Sequence, residues 1–238
     1  MIRKSILGAA LLGLASFAPG AGIAATASFD FAAMADAYAG SHGGREGSWT
    51  QVTGGTVTDN GITLKAIGTY VSSDAHAFMD STSGGRPAGL GVCHSGFWPS
   101  GVSKCSSVPG GGEPGDDNVT FGETLSLIFD KTVFISEMIL RDADHFLLDG
   151  DVEINGTVYS AMNGLINLWN LKADTGLVTD FVFNYVGTAA DGNQFYISSL
   201  TVNDDPNDNP PPVPLPAGGL LLLGGLGALG ALKRKRKA

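Results

Sequence analysis

Hydrophobic and polar residues alternate with a period of two through most of the chain between residues 28 and 203. This spacing places apolar side chains on one face of an extended strand, whereas an amphipathic helix needs a period of about 3.6 residues. Asn, Asp and Gly interrupt the alternation at intervals of about eight to twelve residues, and these residue types favour turns. The pattern therefore predicts an all-β chain of short antiparallel strands.

Three predicted hairpins consist of two alternating segments on either side of a short polar turn. Their strands and turns are residues 55–58 and 62–70 around Asp59-Asn60-Gly61, 124–129 and 133–141 around Asp130-Lys131, and 152–154 and 157–159 around Asn155-Gly156. Two more strands are predicted within residues 180–187 and 193–204, and helices only at 31–38 and 165–171. Short strands in this number favour a single jelly-roll-like antiparallel β-sandwich over residues 28–203.

Residues 1–27 have the composition of a secretory signal peptide. Two basic residues lie among the first four, and the apolar run that follows extends to about residue 22. Pro19 and Gly20 interrupt this run where a buried helix would continue, so export is favoured over a packed N-terminal helix. Small residues offer two cleavage sites, Gly22-Ile23-Ala24 and Ala25-Thr26-Ala27.

The segment between the two ends is strongly acidic. All 23 Asp and Glu residues but only seven of the 14 Lys and Arg residues lie between Ala27 and Pro212, which gives this segment a formal charge of −16. A surface of this charge repels phosphate backbones, so nucleic acid is excluded as a partner. The same carboxylates are available to bind calcium.

The two cysteines of the chain, Cys93 and Cys105, lie twelve positions apart. In an exported protein this spacing predicts a disulfide bond. A metal site that includes His94 is the alternative, but two thiolates and one imidazole leave tetrahedral zinc without a fourth ligand.

The C-terminal segment has three parts with different compositions. Residues 204–212 contain only Asp, Asn and Pro, which predicts an extended linker. Residues 217–232 contain only Ala, Gly and Leu, and as a helix they would extend about 24 Å, a short transmembrane helix. The basic residues 233–237 would remain on the cytoplasmic side, with the acidic segment outside.

A short motif precedes this helix and gives the tail a specific resemblance. Val213, Pro214, Leu215, Pro216 and Ala217, followed by the Gly/Leu helix and the KRKRK end, resemble the VPLPA variant of the PEP-CTERM sorting signal of Gram-negative bacteria. The resemblance implies an exosortase as partner, a transient inner-membrane intermediate, removal of residues 213–238, and delivery to the cell surface or extracellular matrix. Segments GLGVC at 89–93, GETL at 122–125 and FYISSLTV at 195–202 also resemble the β-sandwich bodies of such proteins.

Acidic residues cluster at three places, two of which make a calcium site plausible. Calcium binds six to eight oxygen ligands, which carboxylates and amide carbonyls in edge loops can supply. The alternative is that these residues form turns, since Asp and Asn hydrogen-bond their own backbone there. No cofactor is required by the sequence, and a structural Ca²⁺ ion is the candidate. The candidate ligands are Asp116, Asp117, Asn118, Asp142 and Asp144; the third cluster is Asp149 and Asp151.

No catalytic motif is recognisable in the chain. The four histidines form no metal-binding pattern, and Ser95 lacks the G-x-S-x-G elbow of a serine hydrolase. His145 could pair with the adjacent Asp144, although a solvated histidine at a strand end is favoured. Two carboxylates for glycoside hydrolysis could converge only through the fold. The sequence therefore favours a protein that is not an enzyme.

Three tryptophans are candidates for stacking on sugar rings. Trp98 is the main carbohydrate-binding candidate because it lies between the two cysteines, with burial in the core as the alternative. For Trp169 burial in the core is favoured over exposure. The sequence thus predicts an exported, non-catalytic matrix or biofilm protein, structural or adhesive in role; the alternative is a carbohydrate-binding or carbohydrate-active protein delivered by the same route.

Overall fold

The computed structural model describes residues 24–71, 75–94, 117–187 and 194–204, all within one compact unit that spans residues 23–208. These residues form a mostly antiparallel β structure, as predicted. The strands are β1 (Thr26–Asp30), β2 (Gly47–Ser48), β3 (Val57–Asp59), β4 (Ile62–Tyr70), β5 (Ala75–Asp80), β6 (Gly89–His94), β7 (Glu123–Asp142), β8 (Gly150–Ile154), β9 (Thr157–Ala161), β10 (Val178–Tyr185) and β11 (Phe195–Asp204); the helices are α1 (Phe31–Ser41), α2 (Trp49–Thr53) and α3 (Leu168–Thr175).

Strand β7 is the central element of the topology. Its first half lies between β4 and β10, and its second half pairs with β11. The strand order is β2-β5-β6-β11-β7-β10-β8-β9; in addition, β1 pairs with β11, β3 pairs with β4, and β4 pairs with β7. Two groups of strands therefore share β7.

The predicted turn at Asp130-Lys131 is wrong, because β7 continues through it as one strand of 20 residues. Side chains at Phe129, Val133 and Ile135 are all buried, so the alternation keeps its phase through the polar pair. Asp130 forms a contact with the neighbouring strand β4: its Oδ1 accepts a hydrogen bond from the backbone nitrogen of Thr63 at 2.8 Å. Asp130 thus connects β7 to β4, and the chain does not reverse at this pair.

The other two predicted hairpins are confirmed. Asn60 and Gly61 have φ values of 46° and 75°, and Asn155 and Gly156 have 50° and 82°, the left-handed conformations that such tight turns need. The helix predicted at 31–38 is confirmed and extends to Ser41, whereas the one predicted at 165–171 lies three to four residues later, at Leu168–Thr175. Helix α2 was not predicted; a reciprocal capping box of Ser48 and Gln51 starts it.

The core is formed by apolar side chains from both strand groups and from α1. Phe29 packs against Phe31 and Phe129, and Phe129 packs edge-on against Phe181, with ring centroids 6.2 to 6.4 Å apart. Each of these rings is at most 3% exposed. Asp30 ends β1 and caps α1, since its Oδ1 accepts a hydrogen bond from the backbone nitrogen of Ala33.

The first and last strands lie side by side. Strand β1 is antiparallel to β11, and Thr26 is opposite Asn203. Two residues of β1, Thr26 and Ala27, fall inside the predicted signal peptide, and Ala27 is fully buried. The described body therefore begins and ends at neighbouring points.

Within the described ranges, no helix has the length and apolar composition needed to cross a membrane. The predicted leader up to residue 23, the linker 205–212, the sorting motif and helix at 213–232 and the basic end lie outside those ranges.

Candidate functional site

A polar cavity of about 560 Å³ lies where the ends of several elements meet. Its walls come from the segment before β2, the end of β5, the segment before the bridge of Val119 to Phe195, the loop after β7, and β11. The lining residues are Glu46, Asp80, Ser81, Thr82, Ser83, Gly84, Arg86, Asp117, Asn118, Ala143, Asp144, His145, Gln194 and Tyr196.

Three carboxyl groups converge in this cavity. Glu46, Asp80 and Asp117 each offer one oxygen, and these atoms lie within 4.8 Å of one another. Asp80 is 5% exposed, Asp117 is 7% exposed, and Glu46 is partly buried. Three acidic groups removed from water at this separation repel one another unless protons or a cation balance their charge.

The sheet register explains how the first two carboxyl groups meet. Gly47 of β2 is opposite Met79 of β5 in an antiparallel pair. The residues next to them, Glu46 and Asp80, are consequently brought face to face at the end of that pair. Ser81 supports the arrangement, because its Oγ donates to Oε1 of Glu46 at 3.3 Å.

A glycine in β6 admits the third carboxyl group. A Cβ atom at Gly91 would overlap with the carbonyl oxygen of Asp117 and press on the Cα of Asn118. The absence of a side chain at Gly91 lets the backbone of residues 117–118 approach β6. On the other side, the hydroxyl of Tyr196 donates a short hydrogen bond to Oδ1 of Asp117.

Burial and mutual repulsion alter the acidity of these groups. The pKa of Glu46 is raised from 4.5 to about 9, chiefly by burial and then by its hydrogen bond to Asp80 and the charge of Asp80. The pKa of Asp117 is raised from 3.8 to about 8 by burial and the charge of Asp80, against the opposing hydrogen bond from Tyr196. Without a cation, the cluster therefore retains protons at neutral pH.

His145 closes one side of the cavity. Its Nε2 lies 2.8 Å from Oδ2 of Asp80, and its Nδ1 lies 3.3 Å from the carbonyl oxygen of Arg86. The hydrogen bond to Asp80 raises the pKa of His145, while burial opposes the rise. The prediction of a solvated histidine is wrong: His145 is 8% exposed and its carboxylate partner is Asp80.

Asn118, which also lines this cavity, has a side-chain oxygen without a hydrogen-bond partner. The residue is 5% exposed, and its Oδ1 is the only buried side-chain nitrogen or oxygen lacking a partner among the described residues. Leaving a buried polar atom unsatisfied costs about 1–3 kcal/mol. An oxygen placed this way is available to a ligand of the cavity.

Of the five predicted calcium ligands, three line the cavity. These are Asp117, Asn118 and Asp144. Asp142 is not among the lining residues; its Oδ1 accepts hydrogen bonds from the backbone nitrogens of Asp144 and Phe146, a turn-forming role. Asp116 lies outside the described residues.

The third acidic cluster also has local roles. Oδ1 of Asp149 accepts from the backbone nitrogen of Asn163 and Oδ1 of Asp151 from Oγ of Ser160, each at 2.6 Å. Sequence analysis did not identify Glu46 or Asp80, since no local motif marks them. Only the pairing of β2 with β5 reveals them.

A second buried acid and base lie at the end of β6. Nδ1 of His94 is 2.8 Å from Oε1 of Glu123, and the ring of Tyr70 stacks on His94 with centroids 4.1 Å apart. Cys93 is disulfide-bonded, so it offers no thiolate for the alternative metal site with His94. Cys105, its predicted partner, lies outside the described residues.

The tryptophans occupy different environments. Trp49 is 3% exposed, and its Nε1 donates to the carbonyl oxygen of Gly55. Trp169 is 82% exposed on α3, so the prediction of burial is wrong; Leu171 is the buried residue of that helix. Trp98 lies outside the described residues.

In comparisons with protein-family models, curated proteins and solved structures, no match to this chain was found.

Proposed function

We propose that this chain is an exported, surface-sorted, non-catalytic protein that serves as a structural or adhesive component of the extracellular polysaccharide matrix of a Gram-negative bacterium. A signal peptide directs export, and an exosortase recognises the tail at residues 213–238 while the apolar helix is held in the inner membrane. Removal of the tail releases the acidic body to the surface or the matrix.

The observation that carries the proposal is the meeting of the two ends of the body. Thr26 at the start of β1 is opposite Asn203 at the end of β11. A leader that ends before Ala25 and a tail that begins after Asp204 can both be removed without taking a residue from either strand. This arrangement is compatible with processing at both ends, although neighbouring termini are common in domains.

The strand arrangement supports a jelly-roll-like sandwich as the body. Strands β4 and β5 belong to the two groups that share β7, and they touch closely. A Cβ atom at Gly68 of β4 would overlap with the backbone of His76 and Ala77 in β5. Two strand groups in such contact are consistent with the face-to-face packing of a sandwich.

The geometry of the cavity favours a role without catalysis. The carboxyl oxygens of Glu46, Asp80 and Asp117 lie within 4.8 Å of one another. Retaining glycoside hydrolases separate their two carboxyl groups by about 5–5.5 Å and inverting ones by about 6.5–9.5 Å, because the sugar must fit between them. A hydrogen bond joins Glu46 and Asp80 directly.

The experiment that tests the proposal follows the protein in a Gram-negative host that possesses an exosortase. The chain should be recovered outside the cell, whereas the Pro216→Ala variant should accumulate with the inner membrane. Pro210→Ala, in the linker, is the matched control and should be sorted normally. Equal recovery of all three proteins in the inner membrane would contradict the proposal.

A carbohydrate-binding protein delivered by the same route is the second candidate. The observation that favours it is the indole of Trp169, which is 82% exposed at the start of α3. An exposed aromatic face can stack on the C–H groups of a sugar ring.

A further inference from the structure

The cavity around Glu46, Asp80 and Asp117 has the ligands that a hard cation requires. Each residue offers a carboxyl oxygen, and the three oxygens lie within 4.8 Å of one another. Calcium binds oxygens at about 2.3–2.6 Å, so ligands on opposite sides of the ion are separated by up to about 5 Å. One calcium ion can therefore contact all three carboxyl groups.

An independent observation comes from Asn118. Its side-chain oxygen is buried without a hydrogen-bond partner, although the residue is 5% exposed and lines this cavity. An amide carbonyl is a common calcium ligand. Coordination of a cation would satisfy this oxygen, which no donor in the described part of the protein does.

The neighbouring side chains leave the carboxyl groups available. Tyr196 donates to Oδ1 of Asp117, and His145 donates to Oδ2 of Asp80. Each of these hydrogen bonds occupies one oxygen of its carboxyl group, and the proton shared between Glu46 and Asp80 in the cation-free cluster would be released when a cation binds both groups. These neighbours would act as the outer partners that orient metal ligands.

The electrostatic balance of the cavity also favours a cation. Asp144 adds a fourth carboxyl group to the lining, and Arg86 is the one guanidinium there. The guanidinium of Arg86 lies over the ring of Phe146, 3.7 Å from the centroid, and so has a contact of its own. Arg86 and a protonated His145 supply at most two positive charges against four carboxyl groups.

We propose that Glu46, Asp80, Asp117 and the side-chain carbonyl of Asn118 form a structural site for one calcium ion. The ion ties together the start of β2, the end of β5 and the segment that leads to Val119. This site is independent of tail processing, so the failure of either proposal leaves the other standing.

The test uses the full-length chain in detergent micelles, dialysed against EGTA and then titrated with Ca²⁺ or with Mg²⁺. We expect one Ca²⁺ per chain by metal analysis, a rise in Tm with Ca²⁺, and an affinity for Mg²⁺ at least tenfold weaker. These wild-type measurements remain decisive if a variant fails to fold. Absence of both binding and a Tm shift would overturn the proposal.

Variants then locate the ion. Glu46→Gln and Asn118→Ala should each weaken Ca²⁺ binding at least tenfold. Glu137→Gln makes the same chemical change at an exposed position of β7 and should bind like the wild type. An equal loss of binding in Glu137→Gln, or full binding in both cavity variants, would place the ion elsewhere and overturn the assignment.

Discussion

The backbone nitrogen of Ala25 donates to Oδ1 of Asp204 at 2.5 Å, and the backbone nitrogen of Asp204 donates in return to the carbonyl oxygen of Ala25. The side chain of Asp204 is fully buried, and Nζ of Lys131 lies 3.5 Å from its other oxygen. This reciprocal pair joins the first described strand to the last one.

The pair also distinguishes the two predicted cleavage sites of the leader. Cleavage after Ala27 would remove the first two residues of β1, including a fully buried side chain. Cleavage after Ala24 would leave β1 complete and would convert the nitrogen of Ala25 into a charged amine beside the Asp204 carboxylate. We therefore expect the mature chain to begin at Ala25.

The first prediction concerns Asp204. Asp204→Ala should lower the free energy of unfolding by about 1–3 kcal/mol, because Ala25 and Lys131 lose their buried acceptor. Denaturant unfolding monitored by circular dichroism measures the change. Glu137→Ala, at an exposed position, should stay within about 0.5 kcal/mol of the wild type. Equal stability of the Asp204 and Glu137 variants would show that the pair contributes nothing.

The second prediction is a pH dependence of the calcium-free protein. The pKa of Glu46 rises from 4.5 to about 9 on folding, and that of Asp117 rises from 3.8 to about 8. At pH values between the unfolded and folded pKa of each group, the folded state therefore binds more protons than the unfolded state. Stability must then fall as pH rises through this window.

Unfolding in urea with EGTA at pH 5, 7 and 9 measures this effect. The decrease in the free energy of unfolding should be smaller in Glu46→Gln, which has no carboxyl group to titrate at that position. Saturating Ca²⁺ should also reduce the decrease, since a cation stabilises the charged carboxylates. A wild-type stability that rises between pH 5 and 9 would contradict the assigned acidities.

The third prediction compares two glycines. Gly91→Ala should destabilise the protein by several kcal/mol and displace residues 117–118, because the added Cβ would overlap with backbone atoms that cannot move far. Gly40→Ala, in α1, has open space around the new Cβ and should be neutral or stabilise by up to about 1 kcal/mol. Thermal unfolding of the two variants distinguishes them.

The fourth prediction tests the carbohydrate alternative. If the exposed indole of Trp169 stacks on sugar rings, Trp169→Ala should elute earlier from a column of immobilised matrix polysaccharide. Trp98→Ala tests the position that the sequence favoured. Phe121→Ala removes another exposed ring, 53% exposed, and is the control. Identical elution of all four proteins would argue against carbohydrate binding and favour the structural role.

Much of the fold could be predicted because its signals are local. Asn60-Gly61 and Asn155-Gly156 adopt the left-handed turn conformations that these dipeptides favour, and strand alternation follows directly from the residue order. Asp130-Lys131 was misinterpreted because polar residues alone do not distinguish a turn from the exposed face of a continuing strand. The hydrogen bond from Thr63 to Asp130 that decides the matter joins distant segments.

The site was only partly predictable for the same reason. Asp117 and Asn118 belong to a visible acidic cluster, whereas Glu46 and Asp80 are isolated in the sequence. They meet because Gly47 pairs with Met79, a register that depends on how β2 joins the edge of the sheet. The prediction that Trp169 is buried was wrong because a short helix with one buried residue has no clear apolar face in its sequence.

The central claim is that this chain is exported and processed at both ends, and the intact mass of the protein recovered from outside its native cells tests it most directly. The account predicts a chain that begins at Ala25 and ends at or near the VPLPA motif, without the helix and the basic end. If the protein is instead recovered with the inner membrane and its mass includes residues 217–238, the account is contradicted and the chain is a membrane-anchored protein.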